Sequence, residues 1–257
     1  MADSTLAALL PPFVEVPARP FLMGTRVAAL SGLAKRYGGT RESYREESPQ
    51  HTLALPAFSI ARAPVTNALY AAFVAAAGAP APAHWRGESP PDALRDHPVA
   101  DVTWHDAVRF CDWLNARGFR LLPFAFRLPS EAEWEHAARG GDGRDFPWGD
   151  EFEPSLANTR EAALATSTPV GSFARGASPY GALDMAGNVW EWTSSLDAPY
   201  PYRPDDGRED LSAPGRRILR GGCYANPHGY ARCACRFRLL PDVRNAFMGF
   251  RLAYSAG

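Results

Sequence analysis

The chain has 257 residues, 46% of them hydrophobic and 21% charged, with a formal net charge of −1. That is enough apolar material for a sizeable core, and a balance so near neutral excludes a protein that grips a polyanion over a broad surface, so no nucleic-acid partner is expected. The 24 prolines and 22 glycines exclude a helix bundle and predict many turns and long loops.

Met1 to Pro11 has neither the basic start nor the apolar run of a signal peptide. The alanine-rich run Ala68–Ala83 is broken by Gly78, Pro80 and Pro82, so no membrane span is expected and a cytoplasmic location is the default. In that compartment the four cysteines, Cys111, Cys223, Cys233 and Cys235, imply no disulfide. Phe13–Val16 and Phe21–Met23 read as short strands, residues 26–50 as a long loop, and His51–Ile60 as one half-buried strand of period two. Pro64 opens a helix, with Leu69, Phe73 and Ala76 at helical spacing and Gly78 as its stop. Thr103 with Asp106 caps a second helix, Trp104–Arg117, ended by Gly118. After a strand-like Phe126–Leu128, Ser130 with Glu133 caps a third, closed by Gly140–Gly141. Beyond it the helical period disappears, leaving strand-like pieces at Val170–Phe173, Val189–Thr193, Ile218–Arg220 and Phe250–Ala253. Helices followed by irregular β structure predict an α+β fold. With neither an internal repeat nor a clean linker, one domain over residues 1–257 is expected.

A series of short motifs runs through the chain: FLMG (Phe21–Gly24), HPVADVTW (His97–Trp104), RLPSEAEWE (Arg127–Glu135), PWG (Pro147–Gly149), PVGSF (Pro169–Phe173), GNVWEWT (Gly187–Thr193), RGG (Arg220–Gly222) and GFRL (Gly249–Leu252). Their order resembles the formylglycine-generating enzyme, or sulfatase-modifying factor, family. The resemblance implies a C-type-lectin-like fold of that subtype, with little regular secondary structure. The family hosts several functions, so function has to be argued from the site.

An oxidoreductase of the formylglycine-generating type, acting on protein cysteine, is one reading. The resemblance places its two cysteines shortly after the RGG turn, on a GGSYxCHxSYC pattern. Here Asn226 stands at the first of those positions. Cys233 and Cys235 are two apart, and on a strand they would share one face, which is not the family arrangement. The iron-dependent relatives of the ergothioneine pathway use an HxxxHxE spacing, and none of the six histidines shows it. Both absences predict a chain that is not an enzyme.

The last segment, from Gly221 to Arg251, carries a different resemblance. Gly221, Gly222, Arg232, Ala234, Arg236, Arg238, Pro241, Asp242, Arg244, Asn245, Gly249, Phe250 and Arg251 resemble the framework of variable regions in proteins diversified by retroelements. Cys223 and Tyr224 depart from it, standing where Ser and Trp are usual. Such retroelements randomise adenines in AAC codons, which never yield Lys, Glu, Gln, Met or Trp. None of these five occurs between Cys223 and Phe247. Cys233, Cys235, Phe237, Leu239 and Val243 alternate with or follow the arginines. If the arginines pack inward, on carboxylates such as Asp242, Asp184 or Glu191, an apolar row faces water. A soluble chain seldom exposes such a row without a use. The plainer alternative is a strand with its apolar side buried and its arginines outside.

The resemblance therefore implies a non-catalytic ligand-binding protein with a hypervariable region at about residues 221–251. Its candidate variable positions are Tyr224, Ala225, Asn226, His228, Gly229, Tyr230, Cys235, Phe237, Leu239, Leu240, Val243, Ala246 and Phe247. Tyr224, Tyr230 and Phe237 would serve as aromatic anchors, with Asn226 and His228 as adaptable polar contacts. The partner would be specific to this variant, and a broad apolar patch suits a protein better than a small molecule. The resemblance also implies calcium on the loop that follows Asp184, held by the side chains of Asp184 and Glu191 and the carbonyls of Gly187 and Val189, an all-oxygen set for a hard divalent ion. The alternative, equally open, is that Glu191 pairs with an arginine and the loop holds no metal.

Overall fold

In the computed structural model, which describes residues 3–117 and 125–255, the elements follow the capping and periodicity of the sequence where those signals are strong. Helix α1 spans Asp3–Leu9. Strands β1 (Phe13–Val16) and β2 (Pro20–Met23) follow, then α2 (Leu30–Tyr37) and a 3-10 helix over Arg41–Glu47. Residues 26–50 are thus largely helical, not the expected loop. Only Leu30 and Leu33 of α2 are buried, and two apolar residues make too short a stripe to stand out in a polar sequence.

Strands β3 (His51–Ala54) and β4 (Phe58–Ala61) replace the single strand expected over His51–Ile60. The break contains Pro56, which has no N–H to give a ladder. β3 pairs with β2, whereas β4 sits between β1 and the C-terminal β9 (Ala253–Tyr254) in a three-stranded sheet. Helix α3 covers Asn67–Ala77, starting later than Pro64 because the Thr66 hydroxyl accepts from Leu69 N at 3.3 Å. Gly78 ends it in the left-handed region at φ 61°.

Helices α4 (Trp104–Ala116) and α5 (Glu131–Arg139) begin at the two expected capping boxes, Thr103 with Asp106 and Ser130 with Glu133. Each satisfies two helix-end donors reciprocally. Gly118, the expected stop of α4, lies outside the described residues. Phe126–Leu128 makes one bridge, Arg127 to Ala253. Val170–Phe173 is a turn, closed by Ser172 N on Pro169 O at 3.2 Å.

A four-stranded sheet completes the chain, in the order β7 (Phe237–Leu239), β6 (Arg217–Arg220), β5 (Trp190–Leu196), β8 (Met248–Phe250), with β5 and β8 parallel. Its inner side meets α3 and α4 in the main core, around Tyr70, Phe73, Phe110, Trp192, Leu219 and Phe250. Each such side chain contributes about 1.5–3 kcal/mol by leaving water. Two buried indoles are also satisfied: Trp104 donates to Thr193 O at 2.9 Å and Trp192 to Val102 O at 3.1 Å. These bonds fix α4 against β5. Among the described residues no helix is long and apolar enough to cross a membrane.

Candidate ligand-binding face

The C-terminal segment begins where β6 ends, at Gly221 (φ 98°) and Gly222 (φ 72°). A Cβ on Gly222 would lie 3.0 Å from the backbone of Tyr230, so the turn requires glycine on both steric and dihedral grounds. The chain then runs through a 3-10 turn at His228–Ala231, crosses the molecule from Arg232 to Arg236, and returns through β7 and a loop to β8.

Four arginines hold this path from within: Arg220 and Arg251 are 0% exposed, Arg232 1% and Arg236 5%. Arg251 grips Glu191 through two nitrogens at 2.5 and 2.6 Å. Arg232 grips Glu47 at 2.8 and 3.1 Å, and Arg236 grips Glu131 at 2.9 and 3.0 Å. Arg220 donates to Glu135 at 2.7 Å and to the carbonyls of Cys233 and Cys235 at 3.0 and 3.1 Å. Forked guanidinium–carboxylate pairs of this kind set orientation as well as distance. Burial would raise the Glu135 pKa, but Arg220 and Arg139 beside it bring it below the ordinary carboxylate value.

Of the partners expected for the arginines, Glu191 takes Arg251. Asp184 instead accepts from the Gly171 N–H at 2.7 Å, and Asp242 lies at the surface 3.4 Å from His105. The carboxylates that do most of the pairing, Glu47, Glu131 and Glu135, are far away in sequence. Glu131, Glu135 and Arg139 share one stripe of α5, and only their burial reveals that this stripe faces inward.

With the guanidinium groups inside, large apolar groups remain outside. Tyr230 is 46% exposed, Phe237 37% and Leu240 57%. Ala225 and Ala246 are exposed, and Tyr224, Asn226, His228, Gly229, Leu239, Val243 and Phe247 are half-buried. Cys235 is a correction: it is buried, as is Cys233. From Ala231 to Arg236 every residue is covered, so this stretch has no water-facing side on which alternate residues could emerge. Burial pushes both thiols up to about 12. Arg238 departs the other way, lying at the surface against Glu46 and Asp197.

Several face residues are fixed by neighbours. Trp190, absent from the expected set, is the buried floor. Its ring centroid is 5.2 Å from Phe237 and 6.4 Å from Tyr230, and its N–H donates to Asn226 Oδ1 at 2.8 Å. Tyr224 and Phe247 meet at 5.4 Å. His228 stacks on Phe152 at 4.3 Å and pairs with Glu161 at 2.9 Å. A Cβ on Gly229 would lie 2.9 Å from that of Tyr37, so a side chain there requires α2 to give way. Beside the face a cavity of about 160 Å³ opens between Tyr37, Tyr44, Glu47 and Tyr230.

The loop expected to hold calcium is differently committed. Both Glu191 oxygens are held by Arg251, and Oε2 also accepts from the Trp134 indole at 2.8 Å. Burial pushes Asp184 up to about 6. Gly187 packs on Asn158, whose carbonyl oxygen would lie 2.2 Å from an added Cβ, and Val189 is buried in the core. Among the described residues no group of three or more His, Cys, Asp or Glu is gathered for a metal. This donor set does not fit calcium, because its strongest carboxylate is already neutralised.

The α+β arrangement of capped helices and short strands around this tail defines a C-type-lectin-like fold of the formylglycine-generating-enzyme subtype. The chain matches the Sulfatase-modifying factor enzyme 1-like domain over residues 4–256 and belongs to that family. It is 34% identical to the formylglycine-generating enzyme of Streptomyces coelicolor, over 82% of each chain. It is 35% identical to the hercynine oxygenase of Mycolicibacterium smegmatis, over 94% of this chain but 60% of that protein's length. Among solved structures, Treponema denticola variable protein 1 is 25% identical, with a TM-score of 0.73 and 94% of each chain covered. These relatives overturn the expectation that the chain is not an enzyme: proteins named as enzymes share about a third of its residues along most of its length. The missing cysteine and histidine patterns were too narrow a test, since they describe two chemistries and not the whole family.

Proposed function

We propose that the chain takes its ligand on the face built by Tyr224, Tyr230, Phe237, Leu240 and Phe247 around Trp190, and that residues on this face vary while the arginines beneath stay fixed. The observation that carries the reading is the inversion of burial: guanidinium groups are enclosed and aromatic groups face water. Exposed aromatic anchors on a rigid support bind at low entropy cost. The likeness to a variable protein supports a binding role. A broad face of this kind suits a protein partner. A library of full-length chains tests it. Randomising codons 224, 225, 230, 237, 240 and 246 should leave most members folded, whereas randomising Arg220, Arg232, Arg236 and Arg251 should leave few. Equal losses at both sets would refute the reading. The gene gives an independent check. A near-copy of codons 223–247 beside a reverse transcriptase gene, with AAC at the varying positions, is the expected arrangement.

The enzyme relatives favour a second reading of the same face, in which the bound molecule is a substrate. An oxidation of protein cysteine there would have to use groups other than the family's cysteine pair, because Asn226 occupies the first position. Incubation with oxygen and either a cysteine-containing peptide or hercynine, followed by mass spectrometry, tests for turnover. Loss of turnover in the Tyr230→Ser/Phe237→Ser variant would locate it on this face.

A further inference from the structure

A larger cavity, of about 340 Å³, shares no residue with that face. It opens between α4, β5, the Phe126–Leu128 stretch and the loop that carries Tyr202 and Glu209. Leu55, Val108, Phe126, Leu128 and Leu211 give it apolar walls. Its volume is near the lower end for small-molecule sites.

The polar groups of this cavity are unbalanced in charge. The Glu209 carboxylate accepts from the hydroxyls of Ser194, Ser195 and Tyr202. All three donors are neutral. Glu133 also lines the cavity, paired with Arg127 at 2.6 and 2.7 Å, and Asp112 stands exposed at the rim. The described lining therefore holds three carboxylates and one guanidinium, and that guanidinium is already engaged. Hydroxyl groups satisfy the lone pairs of Glu209 but make no ion pair with it. Among the described residues Arg217 and Arg127 attract it only without direct contact, and a buried carboxylate lacking a directly paired cation carries a desolvation cost. Burial accordingly pushes Glu209 above the ordinary carboxylate value despite its three donors.

We infer that this cavity is a binding site for a small organic ammonium with an apolar body, its N–H groups on Glu209 and its hydrocarbon against Val108, Phe126 and Leu128. A carboxylate or phosphate would meet like charge. A neutral hydrocarbon would fill the walls and leave Glu209 without a directly paired cation. A bare divalent ion would gain nothing from the apolar walls, which offer no oxygen ligands. An ammonium satisfies both halves of the cavity at once.

Calorimetry on the full chain at pH 7 tests this with n-octylammonium, octanoate and 1-octanol as probes. The ammonium should bind with one-to-one stoichiometry and about tenfold or more tighter than either other probe. It should also shift the methyl resonances of Val108 and Leu128. Glu209→Gln should remove the preference for the ammonium over the alcohol, and Val108→Trp, which fills the cavity, should abolish binding of all three. Octanoate binding as tightly as the ammonium, an absence of binding, or shifts confined to other methyl groups would each overturn the assignment. These wild-type measurements decide the matter even if a variant fails to fold.

Discussion

Strand β5 and the tail from Arg232 to Leu240 flank the same strand, β6, yet they are buried by opposite means. In β5 the indoles of Trp190 and Trp192 enter the core, and Glu191 is enclosed because Arg251 neutralises it. In the tail, Arg232 and Arg236 go inward onto Glu47 and Glu131, while Phe237 and Leu240 stay in water. Apolar burial tolerates small shifts, since its contribution scales with area. Ion-pair burial does not, because a displaced guanidinium leaves its carboxylate enclosed and unpaired. A segment held by forked pairs, with Cys233 and Cys235 packed beneath, is thus stiffly placed without burying Tyr230, Phe237 or Leu240, and these are left available for contact.

That contrast can be broken most severely at an ion pair. Arg251→Leu leaves Glu191 buried and alone, and should cost about 3–5 kcal/mol in urea unfolding, much of it recovered by the Arg251→Leu/Glu191→Leu double variant. Failure of the double variant to recover stability would mean that the pair supplies more than charge balance. Leu219→Ala removes apolar packing beneath β5 and should cost about 2–5 kcal/mol; a loss below about 1 kcal/mol would show that this side of β6 is loosely packed.

A smaller effect is expected at the edge of the face. Burial would raise Glu161, but hydrogen bonds from His228 and Thr159 bring it down to about 2, against an ordinary value of 4.5. A carboxylate depressed in the folded state binds fewer protons there than when unfolded. Its stabilisation is therefore complete above about pH 4.5 and lost as the pH falls toward about 2. Glu161→Gln should flatten the acid limb of stability against pH over that window. The smallest effects belong to the face itself. Tyr230→Ser, Phe237→Ser and Leu240→Ser should each change stability by about 0.5 kcal/mol or less. A loss at any of them comparable to Leu219→Ala would erase the distinction between frame and face.

How much of this was legible beforehand follows from the range of each interaction. The helices at Trp104 and Glu131 were readable because a cap bonds within four residues, and the turn at Gly221–Gly222 because glycine is a local requirement. The inward arginines were readable as a pattern, but their partners were not. Glu47 pairs with Arg232 across 185 positions, and nothing near either residue encodes the match. The same gap accounts for Cys235 in the tail and for Trp190 in β5. Alternation places Cys235 at the surface because it presumes a free side, and the crossing from Ala231 to Arg236 has none. No local signal marks Trp190, because its role as floor depends on where Phe237 and Tyr230 return in space.

By itself, then, the sequence determined the family, the fold class, the capped helices and the unusual arginine-rich tail, all of which rest on local chemistry or on motif order. Only the tertiary structure decided which carboxylates receive the arginines, which apolar groups reach water, and that Glu191 pairs with Arg251. Those outcomes turn on desolvation. Whether a charge is enclosed, and by what, depends on every element packed around it, and no single stretch of chain carries that information.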